Sequence, residues 1–505
     1  MSGSIWIKNA AVVTLDAARR VIDPGDVVIE DGRIVAVGPS GEIRPDNIDP
    51  GSETTEIIDA RERILLPGLV NAHIHSYAGL LKGTVDRTCL DVFMLYVTAA
   101  SAERRPRDAY LSAMIGCIEM LKTGTTGVLD HCPNRPLHKP ELLDAEFQAY
   151  ADSGMRAAVA PMFGDLPYLD TVPVEPGEMP DDLAEGLRGK RLDRAAYFAA
   201  MRHVLGEWQG HEGRLGVLLG VDGVQRCSDD LLRETAAFAA EHGIGLHSHM
   251  LETKTQMAMA AARHKDGFTG YLAELGLLGE KSSLAHFVWA SDRDIEIVRE
   301  AGATVVHAPA SNLFTGAGIA PVQKLRRAGI PVAVSSDGVN TGNMLMLEKT
   351  RLAAMLARAT EPDYKNWFDA GDALEMATAN GARALGYGGA LGRIEPGQIA
   401  DLALYDTRSL QLQPRIDPMR QLCFYESGYA VDTVLVGGEV MVRDGRLTQV
   451  DEDTLLGEAN EAAQRLLRDN AGGIDLAERR IPHIHAMAQR IIADPCGVHR
   501  FADGI

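Results

Sequence analysis

The side chains that could do chemistry in this sequence sit where apolar runs stop. His73 and His75 end LVNAHIH, and His249 ends IGLHSH. His286 falls in SLAHFV, His307 in ATVVHA, and Asp337 ends IPVAVSSD. Imidazole and carboxylate together suit zinc, and iron or manganese accept the same donors. His73-Ile74-His75 is an HxH pair, and the two-residue period of a strand turns both rings to one side, where they can chelate a single ion. His249 and Asp337 can complete a mononuclear set of three nitrogens and one oxygen that leaves a position for water. A bound divalent ion lowers the pKa of its water towards neutrality and makes hydroxide available. Asp337 can take that water's proton. Glu252, three residues after His249, can shuttle a proton to a substrate. His286 can orient the water and polarise the group under attack. Any one strand-end histidine is as readily a packed core side chain; the joint pattern carries the chemistry.

For these residues to meet, the elements that carry them must converge. Between residues 69 and 337 there are eight short apolar runs separated by helical patterns, which is the sequence of βα units. One connecting helix shows its signals fully, with Ser228 as N-cap, Asp229 and Asp230 in the first turn and Gly243 past the end. Eight such units predict an α/β fold of the (β/α)8 TIM-barrel type, whose strand ends gather at one mouth. A doubly wound sheet is the competing fold, but no GxGxxG follows any run. The first 60 residues and the stretch 391–450 read as strands, with turn signals at Asp31-Gly32 and Gly437-Gly438. The expected organisation is a small β-sandwich built from 1–65 and 391–450, a barrel over 66–390, and a helical, polar tail over 451–505. The Pro-rich stretch 164–180 is either a substrate lid or a plain surface insertion. His247 makes a second HxH with His249 and is read as packing behind it. His483 and His485 follow Pro482 in the tail, with no strand before them, and are read as surface.

Composition narrows the classes. The 505 residues hold 50 Lys and Arg against 70 Asp and Glu, a formal charge of −20. That argues against a nucleic-acid binder and against docking on anionic lipid, and leaves a small molecule as partner. Six cysteines without CxxC spacing fit reduced thiols. No signal-peptide pattern and no long apolar span is seen, so the expected location is cytoplasmic.

The segments PGLVNAHIH (67–75), HMLET (249–253), LAHFV (284–288), HAPASNLFTGAGIAPV (307–322) and SSDG (335–338) resemble the signatures of the amidohydrolase superfamily. More narrowly, they resemble its cytosine deaminase, S-adenosylhomocysteine deaminase and triazine hydrolase branch. The resemblance implies that His73, His75, His249 and Asp337 ligate the metal, that Glu252 moves the proton, and that His286 contacts the water or substrate. It places His307 and Asn312 near the substrate. Binuclear members carry a bridging Lys or Glu at the fourth strand, and LLGVDGV has neither, which implies one ion. Asp222 stands where many nucleoside deaminases of the branch have a substrate-binding histidine, Ala308 replaces the Asn of an HNP motif, and His131 follows Asp130. These departures argue against adenosine-type substrates and assign Asp222, Gln225 and His131 to a substrate that offers hydrogen-bond donors. The activity implied is hydrolysis of a C–N bond by metal-bound hydroxide, foremost deamination of an amino-substituted pyrimidine, purine or triazine. The same site serves hydrolysis of an amide, ureide, cyclic imide or chloro-substituted heterocycle. A catalytically inactive barrel that acts as a binding protein is the reading from another class. Related enzymes are often homo-oligomers, so self-association is implied as well.

Overall fold

The computed structural model describes residues 4–43, 55–133, 140–189 and 193–501. Parts of the predicted β segment (44–54) and the end of the predicted tail (502–505) lie outside the described residues.

Strand Val21–Glu30 turns back on Arg33–Pro39 through Asp31 and Gly32, both at positive φ (48° and 73°). Strand Val431–Val436 turns back on Glu439–Arg443 through Gly437 and Gly438 (58° and 79°). Both are the turn geometry whose twist matches flanking strands. The two tips pack against each other. A Cβ on Gly32 would stand 2.5 Å from the Gly437 carbonyl oxygen, so the close approach requires glycine. The two chain ends join along one ladder, in which Arg63–Pro67 runs antiparallel to Leu402–Asp406. Among the described residues the result is a nine-stranded sheet whose core includes Ile7, Val27, Ile34, Leu65, Leu402 and Leu435.

The barrel strands are Leu69–His75, Thr125–Asp130, Arg156–Val159, Leu215–Val217 with Leu219–Gly223, Leu246–Met250, Ser282–His286, Thr304–His307, and Val332–Val334 with Asp337–Gly338. All neighbours pair in parallel. The ring closes where Asp337 and Gly338 pair with Ile74 and His75. Beside that seam the Asn71 amide donates to Ser336 Oγ (2.7 Å) and accepts from Ser336 N (3.0 Å). These strands are buried on both faces, which is why they read as unbroken apolar runs. The helix over Asp229–His242 has its Ser228 cap and its left-handed Gly243. The barrel is fastened to the sheet by Arg156, which forks onto Asp401 at 2.9 and 3.0 Å with both side chains almost fully buried.

The tail is helical over Glu452–Asp469 and Ala471–Ala493, but it is not a polar appendage. Ile484, Met487 and Ile491 of the second helix pack with Val92 and Leu95 of helix Leu90–Ala100 and with Val172 and Met179 of the Pro-rich stretch. Arg490 pairs with Glu178 (2.9 Å), and His483 meets the Glu178 carbonyl at 2.8 Å while His485 stays exposed. The stretch 164–180 is thus held between two helices at the barrel mouth. Among the described residues no helix is long and apolar enough to cross a membrane.

Candidate metal centre and active site

Strand alternation puts His73 and His75 on one side of the first barrel strand, with ring centroids 4.8 Å apart. The fifth strand brings His249 to within 3.0 Å of His75, Nε2 to Nε2. The end of the eighth strand brings Asp337 Oδ1 to 3.3 Å from His73 Nε2 and 3.4 Å from His75 Nε2. Two ligands at zinc–nitrogen distance from one tetrahedral ion stand roughly 3.3 Å apart. The His75–His249, His73–Asp337 and His75–Asp337 pairs therefore have the spacing of ligands in a single coordination shell, and His73, His75 and Asp337 form one group that could hold a metal ion. His73 is fully buried, and its Nε2 has no hydrogen-bond partner among the described residues. That is the orphaned atom a metal would satisfy.

The opposite ring nitrogens are tied down. His75 Nδ1 donates to the His131 carbonyl (2.7 Å) and His249 Nδ1 to the Asp222 carbonyl. His73 Nδ1 lies 2.7 Å from His247 Nε2, and His247 Nδ1 lies 2.6 Å from Ser283 Oγ. Anchoring Nδ1–H fixes each tautomer and aims the Nε2 lone pair at the common point. Burial pushes the His73 imidazole well below its ordinary value and lowers that of His249. Burial opposes the charge on Asp337, but the imidazoles of His73, His286 and His75 around it hold the carboxyl well below the usual range. Neutral imidazoles and one carboxylate form the donor set a divalent cation takes.

Beside this cluster lies a second one. Glu252 Oε2 is 3.6 Å and Asp337 Oδ2 3.9 Å from His286 Nε2. His286 Nδ1 donates to Asn312 Oδ1 (2.9 Å), which leaves Nε2 facing the two carboxylates. Burial pushes the Glu252 carboxyl up to about 7. The strands break to deliver these groups. Leu251, His286, Phe287 and Asp337 all take positive φ (49°, 72°, 50° and 64°) without being glycine. Such conformations cost on the order of 1–3 kcal/mol each and persist where the surroundings enforce them.

The cavity over both clusters has about 560 Å³ of empty space including its mouth, and is lined by His75, His249, Glu252, His286 and Asp337. Gln225 and Asp222 line it as well. The Asp222 carboxylate accepts from Arg226 (3.0 Å). His131, His307 and Asn312 are buried and outside the lining. His131 stands behind the ligand rings, 4.8 Å from His249 between centroids, and burial pushes it well below its ordinary value. His307 is pushed down to about 3 by burial, and neither of its ring nitrogens has a partner among the described residues. Asn312 Oδ1 accepts from His286, and its Nδ2 has no partner among the described residues. Tyr77, Arg226, Asn340 and Thr341 line the cavity and were not singled out from the sequence. Arg226 could have been, since it stands four residues after Asp222. A larger groove, about 1700 Å³ with its open mouth, shares Met94, Asp222 and Arg226 with this cavity and runs on past Tyr168 to Leu476 and Arg480 of the tail helix.

A 5'-deoxyadenosine deaminase of Methanosarcina mazei is 32% identical over 466 residues, covering 92% of this chain and 98% of its own. A 5-methylthioadenosine/S-adenosylhomocysteine deaminase of Moorella thermoacetica is 32% identical over 456 residues, 90% of this chain and 97% of its own. Among solved structures, an adenosine deaminase from Xanthomonas campestris with bound zinc superposes with a TM-score of 0.80 at 27% identity, over 92% of this chain and 98% of its own. An atrazine chlorohydrolase from Arthrobacter aurescens complexed with zinc gives 0.78 at 25% identity, over 91% of this chain and 100% of its own. The family model described as "Amidohydrolase family" matches residues 64–441, and the chain belongs to that family.

Proposed function

We propose that this protein is a zinc-dependent deaminase of adenosine-type nucleosides modified at the 5' position. The observation that carries the reading is the pair of clusters: four donors linked by three contacts of 3.0–3.4 Å and, next to them, a buried carboxyl 3.6 Å from a histidine. The names of the relatives supply the substrate class, since they differ at the 5' group of one nucleoside. The groove that continues from the cavity past Arg226 offers room for such an arm. Asp222 and His131 do not count against an adenine ring as the sequence suggested. The Asp222 carboxylate is engaged by Arg226, and His131 is buried outside the lining.

His73, His75, His249 and Asp337 would hold the ion, which when bound acts as a Lewis acid on the attacking water. Glu252 takes one proton from that water and delivers it to the ring nitrogen beside the amino-bearing carbon as the C–O bond forms. His286, fixed by Asn312, holds the water's oxygen in line with that carbon. Asp337 takes the second proton and passes it to the amino group, the C–N bond breaks, and ammonia leaves as the ring carbonyl forms.

The test is ammonia release from adenosine, 5'-deoxyadenosine, 5-methylthioadenosine and S-adenosylhomocysteine, with a chlorotriazine in parallel. A 5'-modified nucleoside should be turned over fastest. Chloride release from the triazine with no ammonia from any nucleoside would replace the reading by the chlorohydrolase one.

A further inference from the structure

We propose that the carboxyl-terminal strap, residues 492–501, is a positioning element of the active site that acts through Lys254 and Arg500. The strap lies beyond the residues matched by the family, which end at 441.

Lys254 stands two residues past Glu252 and is 8% exposed. A lysine that buried needs partners for its charge. Its Nζ donates to the carbonyls of Ile492 (2.8 Å) and Asp494, at the carboxyl end of the tail helix. Those carbonyls have no partner within the helix, and the helix dipole is negative there. Arg500 does the same job at the next loop. Its Nε donates to the Val288 carbonyl (2.5 Å) and its Nη2 to that of Ala290 (2.7 Å). The Arg500 carbonyl in turn accepts from Ile319 N (2.7 Å).

The strap thus grips the chain at 254, at 288–290 and at 319. These are the segments that follow Glu252, His286 and Asn312. They are also bonded to each other: Phe287 N donates to the Met250 carbonyl (2.9 Å), Trp289 N to that of Leu251 (2.8 Å), and Trp289 Nε1 to that of Ala317 (2.8 Å). Within them lie three of the non-glycine residues at positive φ, Leu251, His286 and Phe287. Left-handed residues of this kind hold only where neighbours over-determine them. The strap holds the segments that carry them from the far side, at 254 and 288–290, and it adds no group to the cavity lining. Its role is to keep Glu252 and His286 at their mutual distance.

The kinetic arm of the test rests on the deaminase reading, so a second arm is independent of any substrate. Lys254→Met keeps the side chain's length and removes its charge. In that variant, kcat should fall about tenfold to hundredfold, with KM within about threefold and metal content unchanged, because misplacement of a reacting group acts on the chemical step. Lys254→Arg should recover most of the loss, and Arg500→Met should repeat it. Hydrogen exchange should show lost protection at the amides of Phe287 and Trp289 in Lys254→Met, with the first barrel strand unaffected. A kcat within twofold of the parent in both Met variants, or a loss confined to KM, overturns the proposal. So does unchanged protection at those two amides. If Lys254→Met does not fold, Arg500→Met carries both measurements. A parent protein inactive on every nucleoside defeats the deaminase reading alone, and the exchange arm still decides this one.

Discussion

Glu252→Gln separates the chemistry of the site from its architecture. The substitution keeps the size and shape of the side chain and leaves the backbone bond from Glu252 N to Gln256 (2.8 Å) in place. It removes the group proposed to carry a proton to the ring. Positioned acid–base catalysis is worth about 10²–10⁴ in rate, or roughly 3–5 kcal/mol. Glu252 should sit towards the top of that range, because burial pushes its carboxyl up to about 7, where a group both takes and gives a proton readily near neutral pH. The same burial makes a second, opposite expectation for stability. A carboxyl raised from 4.5 to about 7 leaves the folded state with more bound protons than the unfolded one between those values. Its contribution is therefore fully present at low pH and is lost as pH rises towards and through 7. By linkage the charged form destabilises the metal-free protein above pH 7 by about 3 kcal/mol, an upper figure before local relaxation. Gln has no charge to bury. The variant should release ammonia at least a hundredfold more slowly while retaining its metal, and once stripped of metal it should melt higher than the parent at pH 8 but not at pH 4. Ammonia release, metal analysis and melting curves at the two pH values read all three. A kcat within tenfold of the parent, or an identical melting difference at both pH values, would refute the reasoning.

Four further outcomes follow. His73→Ala and Asp337→Ala should each lose metal and activity together, measured as bound zinc per chain alongside turnover, since three donors of mixed strength no longer close the shell. Asn312→Leu should keep its metal and lose about tenfold in kcat, because His286 loses the 2.9 Å bond that sets its ring; unchanged kcat would remove Asn312 from the machinery. Arg156→Met should cost about 3–5 kcal/mol in denaturant unfolding by leaving Asp401 buried without its partner. Asp222→Asn should alter the ratio of kcat/KM between 5'-modified nucleosides, because it loosens Arg226 where the cavity opens into the groove; a constant ratio would separate that groove from substrate choice.

Which parts of this site were legible in the sequence depends on what each signal measures. Burial on both faces writes a strand as a continuous apolar run, so all eight barrel strands could be read, and a polar residue that stops such a run must stand at the mouth. Asp31-Gly32 and Gly437-Gly438 were equally plain, because a tight hairpin needs positive φ and the chain supplies the residues that tolerate it. Depth along the barrel was not legible. Period two puts His247 and His249 on one side, but only the stagger between strands makes the first a prop for His73 and the second a cavity wall. The same ambiguity covers His131, His307 and Asn312, which the sequence places at or near the substrate and which are buried residues outside the wall of the cavity. The left-handed turns at Leu251, His286 and Phe287 carry no glycine to announce them.

The tail shows the limit from another direction. Ala477, Ile484, Met487 and Ile491 recur at helical spacing, so an apolar face was written there, but partners such as Val92, Leu95, Val172 and Met179 lie more than 290 residues earlier in the chain. Periodicity reports that a face must be covered and not by what. The same holds for Lys254 and Arg500, whose partners are backbone carbonyls and carry no residue-type signal at all. Side chains that touch the reacting atoms are constrained in type and so stand out in a sequence. Side chains that hold those groups through the backbone are constrained only in reach and charge, and become visible when the fold brings the two ends of the contact together.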